Sequence, residues 1–308
     1  MRWRKVKLKK YLLGLSIKSL TAISAALILL IIFFIMSNIV SGGWRQITWE
    51  FLSTAPKEGM TEGGIFPAIF GTFLLVVIMS IFSVPIGTIS AIYLTEYASS
   101  NSIVARFIRF SVNTLAGVPA IVFGLFGLGF FIQFVGKGMD NLFYGGVELR
   151  WGQPNILWAS LTMALLTLPV VIVSVEEAIK AVPKELREAS LALGATKWQT
   201  IRKVVLPNSL IGILTGGILA VSRGAGEVAP ILFTGAAYFL PYLPSSLSDQ
   251  FMELGYHIYI MSTQSPDVEA TRGIQYATTL VLLLLTFTLN FSAIFLRYKL
   301  RTIKSKTG

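Results

Sequence analysis

The chain has 308 residues, 54% of them hydrophobic and 13% charged, with 26 Lys and Arg against 15 Asp and Glu. That balance excludes an ordinary soluble domain, in which about a quarter of residues are charged. The absence of cysteine excludes disulfides and thiolate metal sites and leaves the redox compartment open, and the net charge of +11 is distributed as a topology signal, giving no case for nucleic-acid binding.

The chain opens with a basic arm, 1–18, carrying seven Lys and Arg. Apolar runs long enough to cross a hydrocarbon core of about 30 Å follow at 19–40, 65–94, 107–135, 155–179, 208–235 and 273–296. The first exceeds the ~7–15 residue apolar stretch of a signal peptide, and no small-residue cleavage site follows it. It is read as an uncleaved first span. An external loop, 41–64, leads into a five-helix core, 65–297, and a basic tail, 298–308, closes the chain. Arg106 and Arg109, six basic residues in 180–203 and five from Arg297 to Lys306 share a side with the arm. The opposite loops hold only Arg45, Lys57, Lys137, Arg150 and Arg272. The positive-inside rule then predicts an all-α integral membrane protein of six transmembrane helices with both termini in the cytoplasm. The bilayer is its first partner, and the basic arm suits anionic headgroups.

Within the spans, Pro85 and Pro119 are expected to kink their helices. The Gly and Phe run 117–131 reads more readily as a packing face than as a ligand site. Trp44, Trp49, Trp151 and Trp158 lie near span ends, where tryptophan anchors at the interface.

Between the fourth and fifth runs comes a charged, amphipathic segment, 183–207. Pro183 stands at a helix start, with Glu185 and Glu188 in the opening turns. Gly194 can end that helix with a left-handed cap. Thr196 and Gln199 form a capping box for a second helix. Leu186, Ala189 and Leu193 fall on one face of the first helix; Trp198, Ile201 and Val205 fall on one face of the second. The charge count places this segment in the cytoplasm, where it offers a surface to a partner.

The fifth run contains Ser222-Arg223-Gly224-Ala225-Gly226-Glu227-Val228-Ala229-Pro230. On a continuous helix Arg223 and Glu227 share a face. Two readings stand for them: an ion pair that fixes helix packing, or a charged gate in which the guanidinium attracts an oxyanion and the carboxylate tempers its hold. The long external loop, 236–272, carries His257, the only histidine, read as a hydrogen-bonded structural residue. There is no Gly-x-x-x-x-Gly-Lys-Ser/Thr loop, no His-Glu-x-x-His and no Gly-x-Ser-x-Gly. The chain is therefore expected to be non-catalytic, to hold no cofactor and no metal, and to leave any ATP to another subunit.

Glu188-Ala189-Ser190, then Gly194, then Val204-Val205-Leu206-Pro207 is similar to the EAA signature of ABC importer permeases: Glu-Ala-Ala, three residues, Gly, nine residues, Ile-x-Leu-Pro. Ser190 and Val204 depart from it by small changes. The resemblance implies a type I importer permease fold, with Glu188, Ala189, Gly194, Leu206 and Pro207 coupling to an ATPase. The strings 63–72, 91–97, 115–127, 222–230, 256–259, 263–266 and 274–276, in that order, resemble the A-type permeases of bacterial phosphate importers. That implies phosphate uptake into the cytoplasm across a bacterial inner membrane by alternating access. It also implies a C-type permease as heterodimeric partner, two copies of a cytoplasmic ATPase and an external phosphate-binding protein. Arg223 and Glu227 would line the substrate pathway. Molybdate, sulfate or phosphonate permeases, and a secondary anion transporter, are the alternatives.

Overall fold

The computed structural model of the chain describes residues 2–99, 101–265 and 267–307, with side chains described except at 2–10, 12, 13, 59 and 300–307. Most side chains of the basic arm and tail thus lie outside the described residues. Among the described residues six helical stretches are long and apolar enough to cross a membrane: Gly14–Gln46, Phe66–Tyr97, Ala120–Tyr144, Ile156–Lys180, Lys197–Gly224 and Arg272–Lys299. Among the described residues the fold is all-helical apart from a two-residue-per-strand hairpin, Pro56–Lys57 with Glu62–Gly63, in the loop after the first span, and a single parallel bridge between Ala236 and Phe251.

The arm and first span form one continuous helix, Arg2–Gly43. Its far end meets the last span, where a Cβ at Gly43 would lie 2.6 Å from the backbone of Tyr276 and Ala277. The fourth span is the axis of the molecule. Its Ala159, Met163, Val171, Val175 and Ile179 are buried against the second, third and fifth spans, with Leu75, Val76 and Met79 of the second span in the same core.

Two span boundaries differ from expectation. The run 107–135 is two elements: an amphipathic helix, Ile103–Ala116, and then the third span, which begins at Ala120. Pro119 has no N–H and disfavours helical backbone at Val118, so after Gly117 it breaks the helix outright where a kink was expected. Pro85 instead stays inside Phe66–Ile92. The fifth span ends at Gly224, eleven residues short of 235. Gly224 and Gly226 are poor helix formers, and Pro230 lies ahead.

The backbone after Gly224 turns repeatedly, with Ile231 N–H donating to Val228 O at 3.1 Å and Thr234 N–H to Ile231 O at 3.2 Å. Pro230, Ile231, Thr234 and Gly235 are buried. The third span's glycines make room for this segment: a Cβ on Gly124 would stand 2.9 Å from Pro230 O. Gly124 and Gly127 thus pack against this irregular backbone, and Gly127 also against the fourth span, while Leu125, Phe126, Gly129 and Phe130 of the 117–131 run are exposed in the isolated chain. Trp44 and Trp49 are exposed, as interfacial anchors require, but Trp158 is buried and its indole N–H donates to Trp151 O at 2.7 Å.

The loop 236–272 contains a buried helix, Leu254–Thr263. Its N-cap is Glu253, which accepts from Tyr256 N–H at 2.6 Å and lies 3.4 Å from Thr72 Oγ1. Burial pushes the Glu253 carboxyl up to about 7, although the N–H groups of Gly255 and Tyr256 and the Thr72 hydroxyl pull the other way. His257 is buried too, its Nδ1 lacks a partner among the described residues, and burial pushes it down to about 4. His257 was expected to be hydrogen-bonded, and its Nδ1 makes no such bond among the described residues.

The two groups act on stability in opposite senses. The folded state holds a proton on Glu253 that the unfolded chain has lost, so its contribution is present below about 4.5 and is lost as pH rises through 7. His257 contributes above about 6.5 and loses that contribution as pH falls through 4. In detergent, Glu253→Gln is expected to leave an unfolding midpoint that climbs from pH 4 to 6.5 and then stays level. A variant whose midpoint still declines between pH 6 and 7.5, as the parent's does, contradicts this assignment.

Candidate functional site

The 183–207 segment folds as its local signals dictate. Pro183 caps a helix, Lys184–Ala192, and Gly194 takes φ +84, the left-handed conformation that only glycine adopts freely. Thr196 then caps the next helix, with Gln199 N–H donating to Thr196 Oγ1 and Thr196 N–H to Gln199 Oε1. A π turn, Ile201–Val205, follows, and Leu206 and Pro207 open the helix that runs to Gly224. The wide turn takes up the break left by the missing Pro207 N–H.

No residue of Lys184–Ala192 is buried. Leu193 is 89% exposed, Trp198 54% and Leu186 43%, while Glu188, Ala189 and Gly194 are exposed as well. Ile201 and Val205 are buried in the body, so Trp198 does not join them as expected. The part from Lys184 to Gln199 presents an apolar and charged surface, and Glu188 also lines a cleft with Thr95, Glu96, Lys180, Lys184 and Arg187.

The second candidate site is not the helical pair that spacing implied. Arg223 occupies the last turn of Leu206–Gly224, and Glu227 lies three residues beyond the helix. Among the described residues no ion pair joins them, so the packing-pair reading has no support in this geometry. Arg223 is exposed in the isolated chain, and among the described residues its side chain makes no hydrogen bond or ion pair. Its neighbour Ser222 is anchored: Oγ lies 2.7 Å from Asn290 Oδ1 of the last span.

The depth of Arg223 can be read from the antiparallel fourth span. Gly212 packs on Ala178, Gly216 on Ser174, and Gly224 on Met79 and Met163. Met163 is seven residues inside Ile156, the span's far end, so Arg223 sits about 10 Å within it at 1.5 Å per residue. Irregular backbone begins there. At membrane depth such backbone persists only when packed in protein or lining a watery cavity. One turn back on the Arg223 face, Leu219 lines an apolar cleft with Val112, Pro169 and Val173.

A family model for the binding-protein-dependent transport system inner membrane component matches residues 83–302. The chain belongs to that family. It is 34% identical to the probable ABC transporter permease protein YqgI of Bacillus subtilis, over 80% of this chain and 83% of that one. It is 35% identical to the phosphate transport system permease protein PstA 1 of Mycobacterium tuberculosis, over 63% of this chain and 60% of that relative. A subunit in the crystal structure of a bacterial ABC transporter for alginate import has the same fold, with a TM-score of 0.62 at 16% identity, covering 93% of this chain and 98% of that one.

This ABC importer permease is a multi-pass inner membrane protein and a non-catalytic component of its machine. Permeases of the family work with ATPase subunits and a binding protein. Family membership leaves no place for a self-contained secondary transporter. Spacing alone missed the residues that hold the exposed segment to the helical core. Arg187 bonds Glu96, 91 positions away; a second long-range pair, Arg109 with buried Glu176, joins Ile103–Ala116 to the fourth span. No local pattern marks partners so distant.

Proposed function

We propose that this chain is the A-type permease of an inorganic phosphate importer. In this reading it pairs with a C-type permease as a heterodimer. Two copies of a cytoplasmic ATPase dock on 183–207 and bind the ATP, and a phosphate-binding protein delivers cargo to the external face. The arm, 1–18, and the tail, 298–308, lie in the cytoplasm; loops 41–64 and 236–272 face outward.

The observation that carries the reading is Arg223. An ionised side chain without a partner at membrane depth costs about 2.5–3.5 kcal/mol on insertion scales, so it faces water or a counter-charge. A guanidinium presents planar, multidentate donors matched to phosphate oxygens. Irregular backbone on one side and an apolar cleft on the other give a permeant anion one strong contact along a weakly interacting path. Glu227, close by in sequence and partly exposed, keeps that contact transient by repelling the anion or drawing off the arginine. The phosphate permease named among the relatives supports the same cargo.

The test is uptake of labelled phosphate by vesicles containing the assembled complex, challenged with excess unlabelled anions. Phosphate is expected to suppress the signal, and sulfate, molybdate and methylphosphonate to leave it within about twofold. Equal suppression by one of those anions would reassign the cargo.

A further inference from the structure

The exposed segment is gripped at one place that the chain path does not require. It is covalently continuous with the fourth and fifth spans, yet its cations reach across to the end of the second span. Arg187 Nε and Nη2 donate to Glu96 Oε1 at 3.2 and 3.1 Å. The same guanidinium donates to Ile179 O at 2.8 Å and to Val182 O, at the end of the fourth span. Both partners are shielded, with side chains 18% and 11% exposed. Ten residues further along the segment, Lys197 Nζ stands 5.0 Å from the centre of the Tyr97 ring, in cation–π range. Ser190 and Thr200 share a hydroxyl hydrogen bond of 2.9 Å, tying the two short helices into one body.

The receiving end has its own irregularity. Tyr93–Tyr97 is a π turn, closed by Ala98 N–H donating to Tyr93 O at 2.8 Å. The segment leaves through a second π turn, Ile201–Val205. Such turns interrupt the regular helical ladder and recur at functional sites. Arg109 braces the same ends, bonding Leu94 O at 3.3 Å and Glu176.

We propose that Arg187 and Lys197 are positioning residues that transmit movement of the 183–207 segment to the second span through Glu96 and Tyr97. This rests on the coupling role proposed for that segment. Without the grip, force from the ATPase enters the fourth and fifth spans directly and reaches the cytoplasmic end of the second span only through its packing along them. A lysine at 187 keeps the charge but not the fork that joins Glu96 to two carbonyls at once.

The test uses the reconstituted complex and reads phosphate imported per ATP hydrolysed. Arg187→Gln and Glu96→Gln are each expected to leave assembly and ATP hydrolysis intact and to lower that ratio at least tenfold, with Arg187→Lys in between. Because the native chain has no cysteine, a Glu96→Cys/Arg187→Cys double variant can be joined by a short bis-maleimide. Joining is expected to restore the ratio that the unjoined variant has lost. An unchanged ratio in the glutamine variants, or no recovery on joining, overturns the proposal. Loss of assembly in Arg187→Gln also overturns it, since that assigns the residue to docking. Failure of the underlying coupling reading shows separately, as Gly194→Asp retaining normal assembly and uptake.

Discussion

Arg223→Gln is expected to lower ATP-driven phosphate uptake by roughly ten- to a hundredfold, with membrane insertion and complex assembly unchanged. The size follows from losing charge-assisted hydrogen bonds to the anion, worth about 1.5–3 kcal/mol, at 1.4 kcal/mol per factor of ten. The selectivity of the defect follows from the structure. Arg223 is exposed in the isolated chain and its side chain makes no hydrogen bond or ion pair among the described residues, so its removal costs the fold none of these. Ser222 continues to fix the helix end to Asn290. Uptake at the parent rate in reconstituted vesicles would remove Arg223 from the pathway. A variant that fails to assemble would make it a residue of the permease interface.

The second large effect is expected at Gly194. Gly194→Asp should cut substrate-stimulated ATP hydrolysis and uptake to below a tenth, and Glu188→Lys should do the same by reversing a charge on the proposed docking surface. A residue with a Cβ at φ +84 costs about 1–2 kcal/mol, and aspartate tolerates this conformation better than most. That penalty is too small to unfold the body of the chain. Nothing lies within 4 Å of a Cβ built at Gly194, so inside this chain the new side chain meets open space. Its bulk and charge are therefore felt only when a partner docks. Co-purification of the ATPase with normal stimulated hydrolysis in both variants would show that this surface is not the coupling site.

How much of this was readable beforehand depends on the range of the signal. The short helices of 183–207 were legible because their determinants are local: a proline, a glycine cap, and a Thr–Gln box three residues apart. The six spans were legible from apolar length, but their edges were not. Phe107, Ile108, Phe110, Val112 and Leu115 make Ile103–Ala116 apolar enough to merge with the third span until Pro119 divides them. Residues 225–235 are as apolar as a helix and are buried like one, so hydropathy could not show that the fifth span had already stopped. That error put Arg223 and Glu227 on one helical face. The structure takes Glu227 off that helix, and no ion pair joins the two among the described residues. The grip of Arg187 on Glu96 was beyond reach, since it depends on how the second and fourth spans end side by side.

The central claim is that ATP hydrolysis outside this chain drives an oxyanion past Arg223. It is tested most directly by phosphate uptake into vesicles holding the assembled complex and its binding protein, with ATP supplied or withheld at a clamped membrane potential. Uptake that requires ATP on the side of the 183–207 segment, and that ignores the potential, is the predicted result. Uptake that proceeds without ATP and follows the potential or the anion gradient would contradict the account.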